Sequence, residues 1–303
     1  MREWILGLSK AELHVHLEGS IDPETLCAID PSLSIEAARA GYHYQDFQGF
    51  LQAFAFVAKR LIKPEHYALA ARHLFQKLAA QNVISVEPIL SVGVVLWKGL
   101  DFAAVWDALV QESARTSLRV CWNLDAVRQW GPEKAMAVAK LAADRVSEGA
   151  VSFGLGGDEA SLPASDFRDV FAFARDSGLR LTCHAGEVCG PESVWGALEV
   201  GAERIGHGIR AIEDPVLVRH LAEKRIPLEV SITSNVCTRA VGSLEAHPVR
   251  RLYDAGVPIV LNTDDPSLFG TDLVSEYEVA MRSFGFGQAE VEAVAGNSLR
   301  FGF

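Results

Sequence analysis

The stretch AELHVHLEGS, residues 11–20, reads as a short buried β-strand that ends on two histidines and then an acid. Residues two apart in a strand project to the same face, so His14 and His16 point together. Two imidazoles crowded into apolar surroundings each resist protonation, and a divalent cation that binds the neutral rings removes the conflict. A lone pair of this kind is equally served by one packed core histidine and one loop histidine. The rest of the chain decides between the two.

Seven more apolar, β-branched runs follow: VISVEPI (83–89), LRVCWNL (118–124), AVSFGL (150–155), LRLTCH (179–184), RIGH (204–207), IPLEVS (226–231) and VPIVLN (257–262). Between most of them lie amphipathic segments, at 65–81, 101–116, 132–147, 163–177, 214–225 and 245–255. Near-continuous apolar strands fit a sheet covered on both faces. Eight strands alternating with helices predict an α/β fold: a (β/α)8 TIM barrel with a short helical insertion after strand one, forming a single domain over 1–303. His14, His16, Glu87, Asn123, the Gly157–Glu159 turn, His184, His207, Ser231 and Asp264 all fall at or just past the ends of these strands. In a barrel that is the face where active sites are built.

TCHAGEV (182–188) ends strand five on His184 and places Glu187 just beyond it. IGHGI (205–209) sets His207 between glycines, which let backbone approach a ligand closely. LNTDDPS (261–267) puts two acids at the end of strand eight. An Asp-Pro turn or a helix cap accounts for Asp265. It leaves Asp264 on an apolar strand, where a carboxylate needs a cation or hydrogen-bond donors. Three neutral histidines and one carboxylate from this set suit Zn²⁺, with one position left for water. Some barrel hydrolases bridge two metals with a modified lysine on strand four. VSFGLGGDE has none, so one zinc ion per chain is expected.

The 303 residues are 49% hydrophobic and 22% charged, the profile of a globular protein. A net charge of -11 argues against nucleic acid or an anionic membrane as partner and is ordinary for an enzyme. Five cysteines with no CxxC pair argue against a disulfide framework and a thiolate zinc site. MREWILGLSK is too short and interrupted for a signal peptide, and no apolar run reaches membrane-spanning length, so a cytoplasmic location is expected. The HxE…PCxxC pattern of deaminases that flip bases out of nucleic acid is absent.

With these residues in place, the chain resembles the adenosine deaminase family of zinc aminohydrolases. The resemblance rests on KAELHVHLEGS, GLGGDE, CHAGE, RIGHGI, LEVSITSN and LNTDDPSLFGT, in that order over nearly the whole chain. It implies hydrolytic removal of the 6-amino group of a purine, with His14, His16, His184 and Asp264 as zinc ligands. By the same resemblance, Glu187 is the proton donor to the ring nitrogen N1, and His207 orients and deprotonates the attacking water. His16 and Asp265 meet the purine, Asp265 also touches the water, and the backbone of Gly157 meets the ring.

The sequence departs from the family at several points. Glu18 stands where adenosine deaminases carry an aspartate associated with the sugar's 5′ end, a position where adenine deaminases and enzymes of modified nucleosides match better. The segment from Ile21 to Gln48 is short, which predicts a reduced lid and a more open pocket. Phe47, Phe50, Leu51 and Phe54 recur at helical spacing and read as packing, with only the first turn of that helix near the pocket rim. Gly154 replaces an acid common in the family's DLAGDE. Trp97 and Lys98, after strand two, are placed to meet an apolar or anionic substituent, as on a 6-aminodeoxyfutalosine-type nucleoside. The expected substrate is an adenine nucleoside, adenosine or a 5′-modified relative, with adenine and aminodeoxyfutalosine as alternatives. The competing classes are a catalytically silent purine-binding barrel and a metal-dependent amidase or lactonase.

Overall fold

The computed structural model describes residues 1–303. Eight strands run parallel: β1 (Lys10–His16), β2 (Val83–Ser91), β3 (Trp122–Val127), β4 (Ala150–Gly156), β5 (Arg180–Ala185), β6 (Arg204–His207), β7 (Leu228–Val230) and β8 (Ile259–Leu261). They neighbour one another in sequence order, as right-handed crossovers in a TIM barrel dictate. A two-residue segment, Arg119–Val120, pairs with β2 just before β3. The barrel closes through a bridge between Val15 and Asp264. There His16 N donates to Asp264 O at 2.8 Å and Asp264 N to His14 O at 2.9 Å. The seam is thus stitched by three of the residues proposed from sequence to hold a metal.

Helices cover the outside and start where the sequence supplies the signals. Asp46 caps Phe47–Ala58 by accepting from Gly49 N, and Asp101 caps Phe102–Ser113. Proline occupies the first turn of Pro23–Ile29, Pro64–Ala79, Pro191–Glu199 and Pro215–Lys224, where its missing N–H costs nothing. The insertion after β1 carries three helices: Pro23–Ile29, Ile35–Ala40 and Phe47–Ala58. Leu273–Phe284 and Gln288–Phe301 follow β8 and complete the ring. No helix is long and apolar enough to cross a membrane, and the five cysteines are unpaired.

The interior is not wholly apolar. Arg204, at the start of β6, donates to Glu229 through Nε, to Glu87 through Nη2, and to Phe301 O at 2.9 Å; the Phe303 ring lies 3.6 Å from its Cζ. All three charged side chains are buried. Here the structure corrects the sequence reading of Glu87. Strand β2 runs on to Ser91, so Glu87 is mid-strand and faces Arg204 rather than the mouth. Asn123 is likewise inside β3, donating to Thr182 Oγ1 at 3.0 Å.

Candidate metal centre and active-site cleft

His14 and His16 project from the end of β1, His184 from β5, and Asp264 from the turn after β8. One donor atom from each lies within 4.8 Å of every other. His16 Nε2 and His184 Nε2 are 3.2 Å apart, and Asp264 Oδ1 is 3.3 Å from His16 Nε2 and 3.5 Å from His14 Nε2. Four tetrahedral ligands at zinc distances of 2.0–2.1 Å would be spaced by about 3.3 Å. His14 Nε2 is buried with no hydrogen-bond partner. Burial, joined by the neighbouring rings, lowers His16 to about 4 and holds His184 well below the usual imidazole range. Both therefore present neutral lone pairs. Burial also works against charge on His14, but Asp264 and Glu229 outweigh it and raise the metal-free group to about 10. A cluster that invites positive charge among neutral rings is what a divalent cation fits.

A second layer holds these ligands. His14 Nδ1 lies 2.8 Å from Glu229 Oε2, and Ser234 Oγ donates to Asp264 Oδ2 at 2.7 Å. Arg128 donates to His184 O. Asp264 (φ 63) and His207 (φ 62) both adopt left-handed backbone, a costly conformation for non-glycine residues that clusters at functional sites.

Above the cluster opens a cleft lined by His16, His184, Glu187, His207, Asp264, Asp265 and Gly157 on its polar side. Glu187 is buried, and burial, with Asp264 and Glu159 nearby, pushes its carboxyl up to about 8. Its turn is held by Glu159, whose carboxylate accepts from the backbone N–H of residues 186, 187, 188 and 189. His207 Nε2 faces Glu187 Oε2 at 3.6 Å, and burial lowers this ring to about 4. Asp265 is held well above the usual carboxylate range, by burial and by Asp264 beside it. Its carboxylate lies against Gly19, where a Cβ would fall 1.7 Å from Oδ1.

The structure also relocates several expected residues. Glu18 is fully buried, does not line the cleft, and accepts from Ser91 N at 3.3 Å. Lys98 does not face a substrate: its Nζ donates to Ala58 O and Leu61 O, both at 2.8 Å, and to Tyr67 Oη at 2.7 Å. Trp97 lies outside the cleft and stacks on Trp130, which lines it. The four residues read as packing, Phe47, Phe50, Leu51 and Phe54, all wall the cleft.

Sequence reasoning missed Asp125, which lines the cleft from β3 with Oδ1 buried and unpartnered. It pairs in register with Gly154 on β4, where a Cβ would fall 2.4 Å from that same Oδ1. The acid absent at position 154 thus has a counterpart reaching over from the adjacent strand.

The family model for adenosine deaminase matches residues 9–303. An aminodeoxyfutalosine deaminase of Streptomyces avermitilis is 40% identical over 319 residues, covering 100% of this chain and 88% of its own. The crystal structure of an adenine deaminase from Arthrobacter aurescens superposes with a TM-score of 0.91 at 28% identity, covering 98% of this chain and 94% of its own. Arabidopsis ADAL complexed with IMP gives a TM-score of 0.88 at 27% identity, covering 99% of this chain and 93% of that one.

Proposed function

Because the chain belongs to the adenosine deaminase family of metal-dependent aminohydrolases, we propose that residues 1–303 act as one zinc hydrolase domain. Its reaction is to replace the 6-amino group of an adenine nucleoside with oxygen and release ammonia. The observation that carries this reading is the convergence of Glu187, His207 and Asp265 on the cleft directly above the four-donor cluster.

His14, His16, His184 and Asp264 would hold one zinc ion, since three imidazoles and a carboxylate suit it. Bound there, the ion would supply Lewis-acid activation of water at neutral pH. The remaining work belongs to the chain. Glu187, kept protonated by burial, gives its proton to purine N1 so that the ring can accept the incoming oxygen. His207, its Nε2 3.6 Å from Glu187 Oε2, orients the water. Asp265 meets the purine edge and the water, and the backbone at Gly157, turned outward by φ 94, meets the ring. The largely apolar walls limit the access of bulk water to the reacting carbon.

The apolar side of the cleft favours a particular nucleoside. Phe47, Phe50, Leu51, Phe54, Val94, Val127 and Trp130 form an apolar wall, and no lysine or arginine lines the cleft. A 5′-phosphate finds no cationic side chain there, whereas an aryl group gains its burial. A 5′-aryl adenine nucleoside of the aminodeoxyfutalosine type therefore fits better than a nucleotide. The likeness to an adenine deaminase supports the second reading, free adenine, through the same metal centre.

The test is ammonia release by zinc-loaded protein from adenine, adenosine, AMP and aminodeoxyfutalosine. The 5′-aryl nucleoside is expected to turn over fastest and AMP slowest. Fastest turnover of adenine would favour the second reading, and release from none of the four would overturn both.

A further inference from the structure

A run of three buried side chains behind the cleft fixes where one proton sits. Val249 N–H donates to His247 Nδ1 at 3.2 Å. A backbone amide can only donate, so His247 Nδ1 is unprotonated and the neutral ring carries its proton on Nε2. That Nε2 lies 3.1 Å from Asn235 Oδ1, which accepts. With Oδ1 turned toward His247, the Asn235 amide nitrogen faces His207 Nδ1 at 3.1 Å and donates to it. The opposite rotation of the amide would set its N–H against His247 Nε2–H, two donors facing each other. All three side chains are buried, so bulk water does not relieve such a clash. Burial lowers His247 to about 3, which keeps it neutral and the relay directional.

We propose that Asn235 and His247 are positioning residues that lock His207 in the tautomer bearing its proton on Nε2. Neutral His207 then meets the attacking water as a hydrogen-bond donor and not as the group that takes its proton. The far side of the ring agrees: Nε2 faces the Asp264 carboxylate, with Oδ2 at 4.0 Å. The proposal rests on the reading that His207 borders the reacting water, and it revises the role that the family resemblance gives that histidine. A donor aimed at the water's oxygen holds the oxygen in place and favours the charge that develops on it.

The experiment uses the full chain, loaded with zinc and labelled with ¹⁵N-histidine. Long-range ¹H–¹⁵N spectra at neutral pH report each ring nitrogen, and loss of signals in His207→Gln identifies the His207 pair. The expected result is Nδ1 unprotonated and Nε2 protonated. Asn235→Asp places an acceptor opposite Nδ1 and should move a proton onto it. The same variant should lower kcat about 10²-fold while KM changes far less and zinc content stays at one equivalent. His247→Gln, whose amide can still donate to Asn235 Oδ1, should retain the wild-type His207 spectrum, whereas His247→Leu should not. A protonated Nδ1 in the wild type, or an unchanged His207 spectrum in Asn235→Asp, overturns the proposal. The expected spectra with no ammonia released from any purine would overturn the deaminase reading and leave the tautomer assignment standing.

Discussion

His14 Nδ1 and Glu229 Oε2 lie 2.8 Å apart, both side chains sealed from solvent beneath the ligand cluster. A carboxylate behind a ligating imidazole fixes its tautomer and raises its basicity toward the metal. Glu229→Gln is therefore expected to weaken zinc binding about 10–100-fold. Competition with a chelator of known affinity measures it, and wild-type affinity would mean that Glu229 does not support His14.

Glu187→Gln keeps the shape of the side chain and removes its acidic proton. The variant is expected to retain one equivalent of zinc and to lose about 10²–10⁴-fold in kcat. Metal analysis with ammonia release checks both halves. Turnover near the wild-type rate would refute the role of Glu187 as acid.

Gly154 and Asp125 compete for one space. Gly154→Asp alone drives its Cβ into the Asp125 carboxylate and should destabilise the protein by about 1–3 kcal/mol, the usual range for overpacking. Combined with Asp125→Ala, the same substitution should recover part of that loss, the remainder reflecting Asn123 Oδ1, 2.9 Å from the same Cβ. Thermal unfolding of the four proteins in the cycle gives the coupling, and strictly additive effects would show the two positions to be independent.

Phe54 lines the apolar wall, its ring nearly perpendicular to the His16 imidazole with 6.2 Å between centroids. Phe54→Ala should raise KM for a 5′-aryl adenine nucleoside about tenfold, the equivalent of about 1.4 kcal/mol of lost contact. The rise for adenosine should be smaller, since less of it reaches the wall. Equal changes for both substrates would remove the aryl group from that wall.

Glu290, at the start of the last helix, is held down to about 2, first by the Arg250 guanidinium and then by Gly287 N–H. Its usual value is 4.5, so its contribution to stability is present above that pH and is lost as pH falls toward 2. Glu290→Gln should accordingly lower the thermal midpoint at neutral pH and converge on the wild type through that acid window. A constant difference across the window would exclude the ion pair as its cause.

The barrel was legible because each parallel strand is a near-continuous apolar run, and the meeting of His14, His16, His184 and Asp264 because these residues stand at the ends of such runs. What escaped was set by contacts between distant segments. Asp125 was lost to a boundary: ending the third strand at Leu124 left it outside, although β3 continues to Val127. The helical spacing of Phe47, Phe50, Leu51 and Phe54 tells which side chains share a face but not whether that face meets core or cleft. Glu18 follows His16 closely, yet the short 3-10 turn Glu18–Ser20 rotates it away from the opening. Asn235 closes the LEVSITSN motif, but nothing in the sequence couples it to His247, because that link depends on a backbone amide at Val249.

The buried path from Glu87 through Arg204 and Glu229 to His14 also bears on how such a chain can change over generations. Removing any one of the three charged members strands a neighbour in a medium that does not tolerate it, although replacing all of them with well-packed apolar residues would be far less damaging. Single substitutions along the path are therefore costly routes. These positions should be inherited as a block, and a descendant that abandons one should be found to have abandoned the others.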